Sequence, residues 1–363
     1  MTLRHLSALA ALALLPALPS PGLAARTYAL SGDDVAIWNP AGQVRLEAAT
    51  GSSVEVVVSL QGRDANEVRV SDEPLDGRPT LRVLYPWSRP IVYPPMGRWS
   101  NSGTTIRKDG TWGGSSSGLG FLLGNRATVR GGGSGTEAWA DLVIRVPKGR
   151  KVSVHTIAGS AELHGVDGRV LFDGGSGGAT AESCRGALSL DLGSGGVHVD
   201  GFDGDLNVDT GSGSVRVSEV AGANVRLDTG SGGVTGDGIT ADDLLVDTGS
   251  GSVELMRVDA KRAKVDTGSG GVEMSLLTRS PDLDIDTGSG SVRLTVPPDL
   301  SARLHIETGS GGIHSDLAMT IDEKDSGVLR GTVGSGAERV HVDTGSGGVS
   351  LLSSSVASRT KGR

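Results

Sequence analysis

The tetrad Asp-Thr-Gly-Ser is the order in which an aspartic-protease loop presents its catalytic carboxylate, and this sequence repeats it. The pentad DTGSG begins at Asp209, Asp228, Asp247, Asp266, Asp286 and Asp343, and ETGSG begins at Glu307. Aspartic-protease chemistry needs two carboxylates facing each other around one shared proton. So many copies point instead to a recurring structural corner. With Asp173 and Asp191 aligned in front, successive acids up to Glu307 are 18, 18, 19, 19, 19, 20 and 21 residues apart. A fixed period of this length reads as one coil of a solenoid per step.

The apolar residues between the corners alternate, as in Val225 and Leu227 before a turn and Val253 with Leu255 after one. Alternation predicts strands with one buried face. A third apolar anchor follows at Phe202, Val220, Ile239 and Val258, so the cross-section closes on several sides. The last apolar residue before a turn and the first after it are seven apart, as in Val208 to Val215. An odd gap would place them on opposite faces of a continuous strand, so the chain must bend at TGSG. Glycine allows such a bend through positive φ or close backbone approach. We assign Asp209, Asp228, Asp247, Asp266, Asp286, Glu307 and Asp343 to capping these turns, each carboxylate accepting from backbone N–H groups further on. Such bonds contribute about 1.5 to 3 kcal/mol, against about 1 kcal/mol of repulsion between stacked neighbours in water.

The predicted fold is all-β, a parallel β-helix-like solenoid with roughly 18–21 residues per coil and a less regular N-terminal β region. Residues 1–24 read as a secretory leader, with Arg4 before an apolar run, small residues at Gly22 and Ala24, and cleavage after Ala24. That run is too short to span a bilayer, which takes about 20 residues. Residues 25–84 are expected to start the solenoid, 85–138 to form an insertion, 139–352 to carry the repeats and 353–363 to be a disordered tail. Glycine makes up 58 of 363 residues, well above the usual share of about 7%, as many tight turns demand. A formal net charge of −8 argues against nucleic acid as a partner. The single Cys184 has no internal disulfide partner and reads as a small buried filler.

The insertion concentrates the ligand-type side chains. Between Tyr85 and Arg130 stand Trp87, Tyr93, Trp99, Trp112 and Phe121, interleaved with Arg89, Arg98, Arg107 and Lys108. Aromatic faces beside cations suit sugars, anionic glycans or lipid headgroups. Trp87, Tyr93, Arg98, Trp99, Lys108 and Trp112 are therefore the candidate binding residues. The competing reading, which the Gly, Ser and Pro content favours, is disorder or aromatics folded back over the open solenoid end. The histidines are expected on the outer face, without HxH or HExxH spacing, and no metal or cofactor is implied. Calcium-binding β-roll turns place glycine before aspartate at a period of nine, unlike the order here.

The pattern "xVxVDTGSGxVxV", the opening "VAIWNPAGQVRLEAATGSSVEVVV", "ADLVIRVPKGRKVSVHTIAGSAELHGVDG" and the closing "LRGTVGSGAERVHVDTGSGGVSL" together resemble the bacterial putative-adhesin family. The resemblance implies a repeated β-coil domain of unknown function in cell-envelope proteins, and no established activity. The segment after Pro94 departs from that pattern. The expectation is an exported structural or adhesion-type protein, periplasmic or at the cell surface, with no integral span after leader cleavage. Its partner would be an envelope glycan or another surface protein. The alternative is a polysaccharide lyase or hydrolase on a parallel β-helix, with clusters such as Arg216, Arg226 and Arg293 as its raw material.

Overall fold

A computed structural model describes residues 24–113, 125–279 and 281–354. The expected leader up to Leu23, Phe121 and the expected tail from residue 355 lie outside them. The chain is an all-β solenoid. One coil, Val215–Thr229, bends twice along its length so that Val215 and Val217, then Val220, then Val225 and Leu227 all point inward. It pairs in parallel and in register with the next coil, Val234–Thr248, and that one with Val253–Thr267. Stacking in register sets Val215, Val234, Val253, Val272 and Val292 in one buried column. β-Branched side chains pack well on such a pleated surface, and each buried valine contributes about 1.5 kcal/mol or more.

At the TGSG corners the structure selects one of the two expected roles for glycine and overturns the role expected of the acids. Their glycines are required by close approach, not by positive φ. A Cβ on Gly213, Gly232 or Gly251 would stand 1.7, 2.0 or 1.9 Å from the carbonyl oxygen of the equivalent glycine one coil back. Nor do the acids cap the turns. Thr248 Oγ1 accepts from Gly251 N–H at 3.0 Å and donates to the Gly232 carbonyl of the preceding coil at 2.9 Å. Thr210, Thr229, Thr267, Thr287, Thr308 and Thr344 repeat both bonds. Alternation explains the exchange of roles. Val208 and Thr210 share the inward face, while Asp209 between them points out, away from the N–H groups.

A second corner is left-handed. Gly165, Ser183, Gly201, Glu219, Gly238 and Arg257 follow one another around it, all with φ between 49° and 70°. Glu219 and Arg257 adopt a conformation that non-glycine residues reach only at a cost. Gly238 between them leaves room for Arg257 to bond both Asp237, at 2.7 Å, and Glu219, at 2.5 Å. The ion pair thus ties three coils together.

Both ends of the stack change from parallel to antiparallel pairing. The first coil, Asp34–Ala41 with Val44–Ala49, lies between Lys151–Ala158 and Thr80–Leu84, and between Ala161–His164 and Trp139–Pro147. Beyond it, Val54–Gln61 pairs antiparallel with Trp139–Pro147 and with Arg26–Leu30. At the other end the order of the chain and the order of the stack part company. Glu338–Thr344 inserts between Asp282–Thr287 and Ala302–Thr308, so the Asp343 coil, and not the Glu307 coil, follows Asp286. Antiparallel Val328–Val333 then covers Ala302–Thr308, and Thr320–Lys324 closes the edge with every residue exposed. Asp322, Glu323 and Lys324 there discourage further strands from adding. The expected tail begins inside this architecture, because Ser353 ends the strand Val349–Ser353.

The insertion forms its own sheet from Asn101–Ile106, Asn125–Arg130, Ile91–Val92 and Thr136–Glu137. It leans on the flank of the solenoid rather than covering its end. The Trp112 carbonyl accepts from Trp38 Nε1 at 3.1 Å, and Gly113 lies against His155 and Asp173.

Replacing Thr248 with valine keeps its shape but strands the Gly251 N–H and the Gly232 carbonyl. We expect a loss of about 2 kcal/mol in urea unfolding, with Thr248→Ser retaining most of the stability. A Thr248→Val protein as stable as the parent would show that the hydroxyl does not hold the corner.

Candidate functional site

Two features gather charged side chains outside the core. The first is the acid column. Asp173, Asp191, Asp209, Asp228, Asp247, Asp266, Asp286, Asp343 and Glu307 are consecutive register partners, one strand spacing of about 4.8 Å apart. The carboxylates stand side by side, not across a cleft. Asp228 pairs with Arg226 at 2.8 Å and Asp266 with Lys264 at 3.9 Å. Burial and the neighbouring Asp228 and Asp266 hold the Asp247 carboxyl above its ordinary value; burial with Asp266 and Asp343 does the same to Asp286. Burial followed by Asp173 and Asp209 raises Asp191. The column ends on partners at both sides. Asp173 meets His155 Nδ1 at 2.9 Å, with Trp38 stacked on that imidazole at 4.9 Å. Glu307 meets His305 at 2.7 Å and Arg330 at 3.1 Å, and the His305 bond lowers its carboxyl.

The second feature is a cleft of about 620 Å³ in the insertion. Its walls are Arg98, Trp99, Asn101, Arg126, Thr128 and Arg130, with Gly132 and Gly133 at one side. On Asn125–Arg130, Arg126, Thr128 and Arg130 occupy alternate positions facing out, while Ala127 and Val129 are buried. Opposite them run Thr105, Gly103 and Asn101. The loop carrying Arg98 and Trp99 is held close by glycine. Gly131 N–H donates to the Ser100 carbonyl at 3.0 Å, and a Cβ on Gly131 would stand 1.6 Å from the Gly97 oxygen. Trp99 is 89% exposed, with the Arg98 guanidinium 5.5 Å from its ring centre.

The structure therefore divides the sequence-derived candidates. Arg98 and Trp99 stand together in the cleft, and Lys108 is exposed elsewhere on the insertion. Tyr93 and Trp112 are buried, at 3% and 5% exposure, and Trp87 is half-buried, 5.8 Å from Tyr85. These three side chains pack against the core and do not stand in the cleft as ligand contacts. The aromatics seat the insertion on the solenoid, Tyr93 against Trp139 at 5.8 Å and the Trp112 carbonyl on Trp38, in one continuous core that composition alone does not reveal. Arg126 and Arg130 escaped the sequence reading, although the alternation in RATVR marks them as one face.

His155 is another correction. It stands on the outer face of its coil, in register with Asp173, but is buried there beneath Gly113 of the insertion and beside Trp38, not solvated as expected. Cys184 is buried and burial pushes its thiol up. Arg226 is committed to Asp228, and Arg216 and Arg293 stand four coils apart with Thr235, Glu254 and Glu273 in register between them, so the three form no cluster. Among the described residues, no group of three or more His, Cys, Asp or Glu is arranged to hold a metal ion, and no helix is long and apolar enough to cross a membrane.

The family model for Toastrack DUF4097 matches residues 125–352. Solved structures similar to the chain include a "putative cell adhesion protein" from Clostridium sporogenes ATCC 15579, 10% identical with a TM-score of 0.18, covering 91% of this chain and 99% of its own. A "putative adhesin" from Bacteroides fragilis NCTC 9343 is 13% identical with a TM-score of 0.32, covering 92% and 99%. No curated protein matches.

The acid column makes a pH prediction. A carboxyl raised above its unfolded value of 3.8, such as Asp247, stabilises the fold when protonated. That contribution is complete below 3.8 and is lost as pH rises through the folded value. Glu307 is lowered, so its contribution is present above 4.5 and is lost as pH falls through its folded value. At low salt, the melting temperature is expected to rise as pH falls from neutral toward the carboxylate range, and to fall below it. Asp247→Asn should raise stability at neutral pH by about 0.5 to 1 kcal/mol, and added salt should shrink the gain. A destabilised Asp247→Asn protein would return the capping role to the acids.

Proposed function

The chain belongs to the Toastrack DUF4097 family, whose domain has no assigned function, and from that premise we propose that it is a non-catalytic structural or adhesion-type binding protein. It acts outside the cytoplasm and presents a rigid β-solenoid surface to an envelope glycan or another surface protein. The observation that carries this reading is Trp99. A tryptophan so fully exposed on a loop fixed by the Gly131 contact leaves a large apolar face in water. Covering such a face is favourable at about 25 cal/mol per Å², and rigid aromatic anchors lose little entropy when they do so. The antiparallel pair Asn101–Ile106 and Asn125–Arg130 behind the loop, leaning on the stacked coils, supplies stiffness, so little binding energy is lost to ordering the scaffold. Export rests on the leader pattern of residues 1–24.

The test is a glycan and surface-protein array probed with the purified chain, followed by a turnover assay on every hit. Binding without product is expected. Product formation would overturn the non-catalytic reading. Trp99→Ala should weaken binding at least tenfold with the melting temperature unchanged, and cell fractionation should find the leaderless chain outside the cytoplasm. Full-strength binding by Trp99→Ala would remove the loop from the contact surface.

A further inference from the structure

We infer that the cleft beside Trp99 binds an acidic saccharide, a sugar ring on the indole face with its carboxylate, sulfate or phosphate held by Arg98, Arg126 and Arg130. The inference rests on the binding reading above and names the ligand class of that same surface. Arginines elsewhere commonly have acid partners, as Arg257 has Glu219 and Asp237 and Arg330 has Glu307 and Glu323. Arg98, Arg126 and Arg130 form no ion pair among the described residues, and no acid lines their cleft. The sequence from 114 to 124 contains no acid either. Three like charges gathered without a counter-charge repel one another, and an anion among them relieves that repulsion. Arginine's planar fork fits carboxylate, sulfate and phosphate oxygens in pairs. Asn101, Thr128 and Ser100 add uncharged polar groups around the same space, as sugar hydroxyls require.

The neighbourhood limits the size of the ligand. Tyr85 to Arg130 carries six basic residues against Asp109 alone, a balance of +5, so the remaining residues of the −8 chain carry −13. A long polyanion would meet repulsion beyond the insertion, which favours a short acidic segment over duplex nucleic acid. Among the described residues Trp99 is the one exposed large apolar side chain lining the cleft, whereas a bilayer surface would reward a broader apolar patch.

The full chain would be titrated calorimetrically with an oligogalacturonate hexamer, a heparin-derived hexasaccharide and neutral cellohexaose, at low and at physiological salt. At least one acidic hexasaccharide is expected to bind at least tenfold tighter than cellohexaose, and less tightly at higher salt. Arg126→Gln/Arg130→Gln should lose that preference while keeping its melting temperature, and Arg126→Lys/Arg130→Lys should recover part of it. Should the double variant fail to fold, Arg98→Gln on the exposed loop takes its place. Equal binding of acidic and neutral sugars would overturn the inference while leaving the glycan reading of the surface intact. Binding of no saccharide in either test would overturn both. Binding only to phosphatidylglycerol vesicles would overturn it in favour of a lipid surface.

Discussion

The threonine hydroxyl in each DTGSG corner is the bond on which the solenoid depends. One oxygen closes its own turn by accepting a glycine N–H and, by donating to a glycine carbonyl, fastens that turn to the coil before it. Neither partner has water to fall back on, because Thr229 and Thr248 are buried, so a missing hydroxyl costs the full desolvation of two backbone groups. The glycine column completes the device. Gly213, Gly232 and Gly251 bring successive backbones too close for any Cβ. Local turn chemistry and long-range stacking are therefore the same interaction, and the period of the sequence follows from it.

The acid before each threonine is a consequence of this arrangement more than a cause. Alternation turns it outward, stacking places it over its counterpart, and the resulting like-charge column is tolerated because water and scattered cations such as Arg226 and Lys264 screen it. At each end the column is closed by chemistry of another kind. His155 and Trp38 continue it as stacked rings toward the N-terminal end, and at the other Arg330 pairs with Glu307 while His305 bonds the same carboxylate.

Much of this was legible in the residues. The alternation around Val225 and Leu227, the seven-residue gap across TGSG and the anchor at Val220 led directly to a closed coil with a bend at each glycine pair. The exchange between Asp209 and Thr210 was legible too, since Val208 and Thr210 share parity. What the sequence concealed depends on the order of coils in space. The stacking order is not written in the period, and only the lengthened step from Asp286 to Glu307 and the 36-residue step from Glu307 to Asp343 hint at the inversion. The cleft was half visible. Arg98 and Trp99 stood out by type, but Arg126 and Arg130 joined them through strand pairing, and Tyr93 and Trp112 left them through burial.

The intercalated coil bears on how the protein is made. Glu338–Thr344 sits between two coils that the chain laid down earlier. A polypeptide emerging from a ribosome or a secretion channel cannot complete this stack rung by rung. The Ala302–Thr308 coil must wait for the closing strand before it has a neighbour on its inner side. The C-terminal residues thus serve as a latch, and a prematurely terminated product would carry two facing unsatisfied strand edges, the kind of defect that quality-control proteases find.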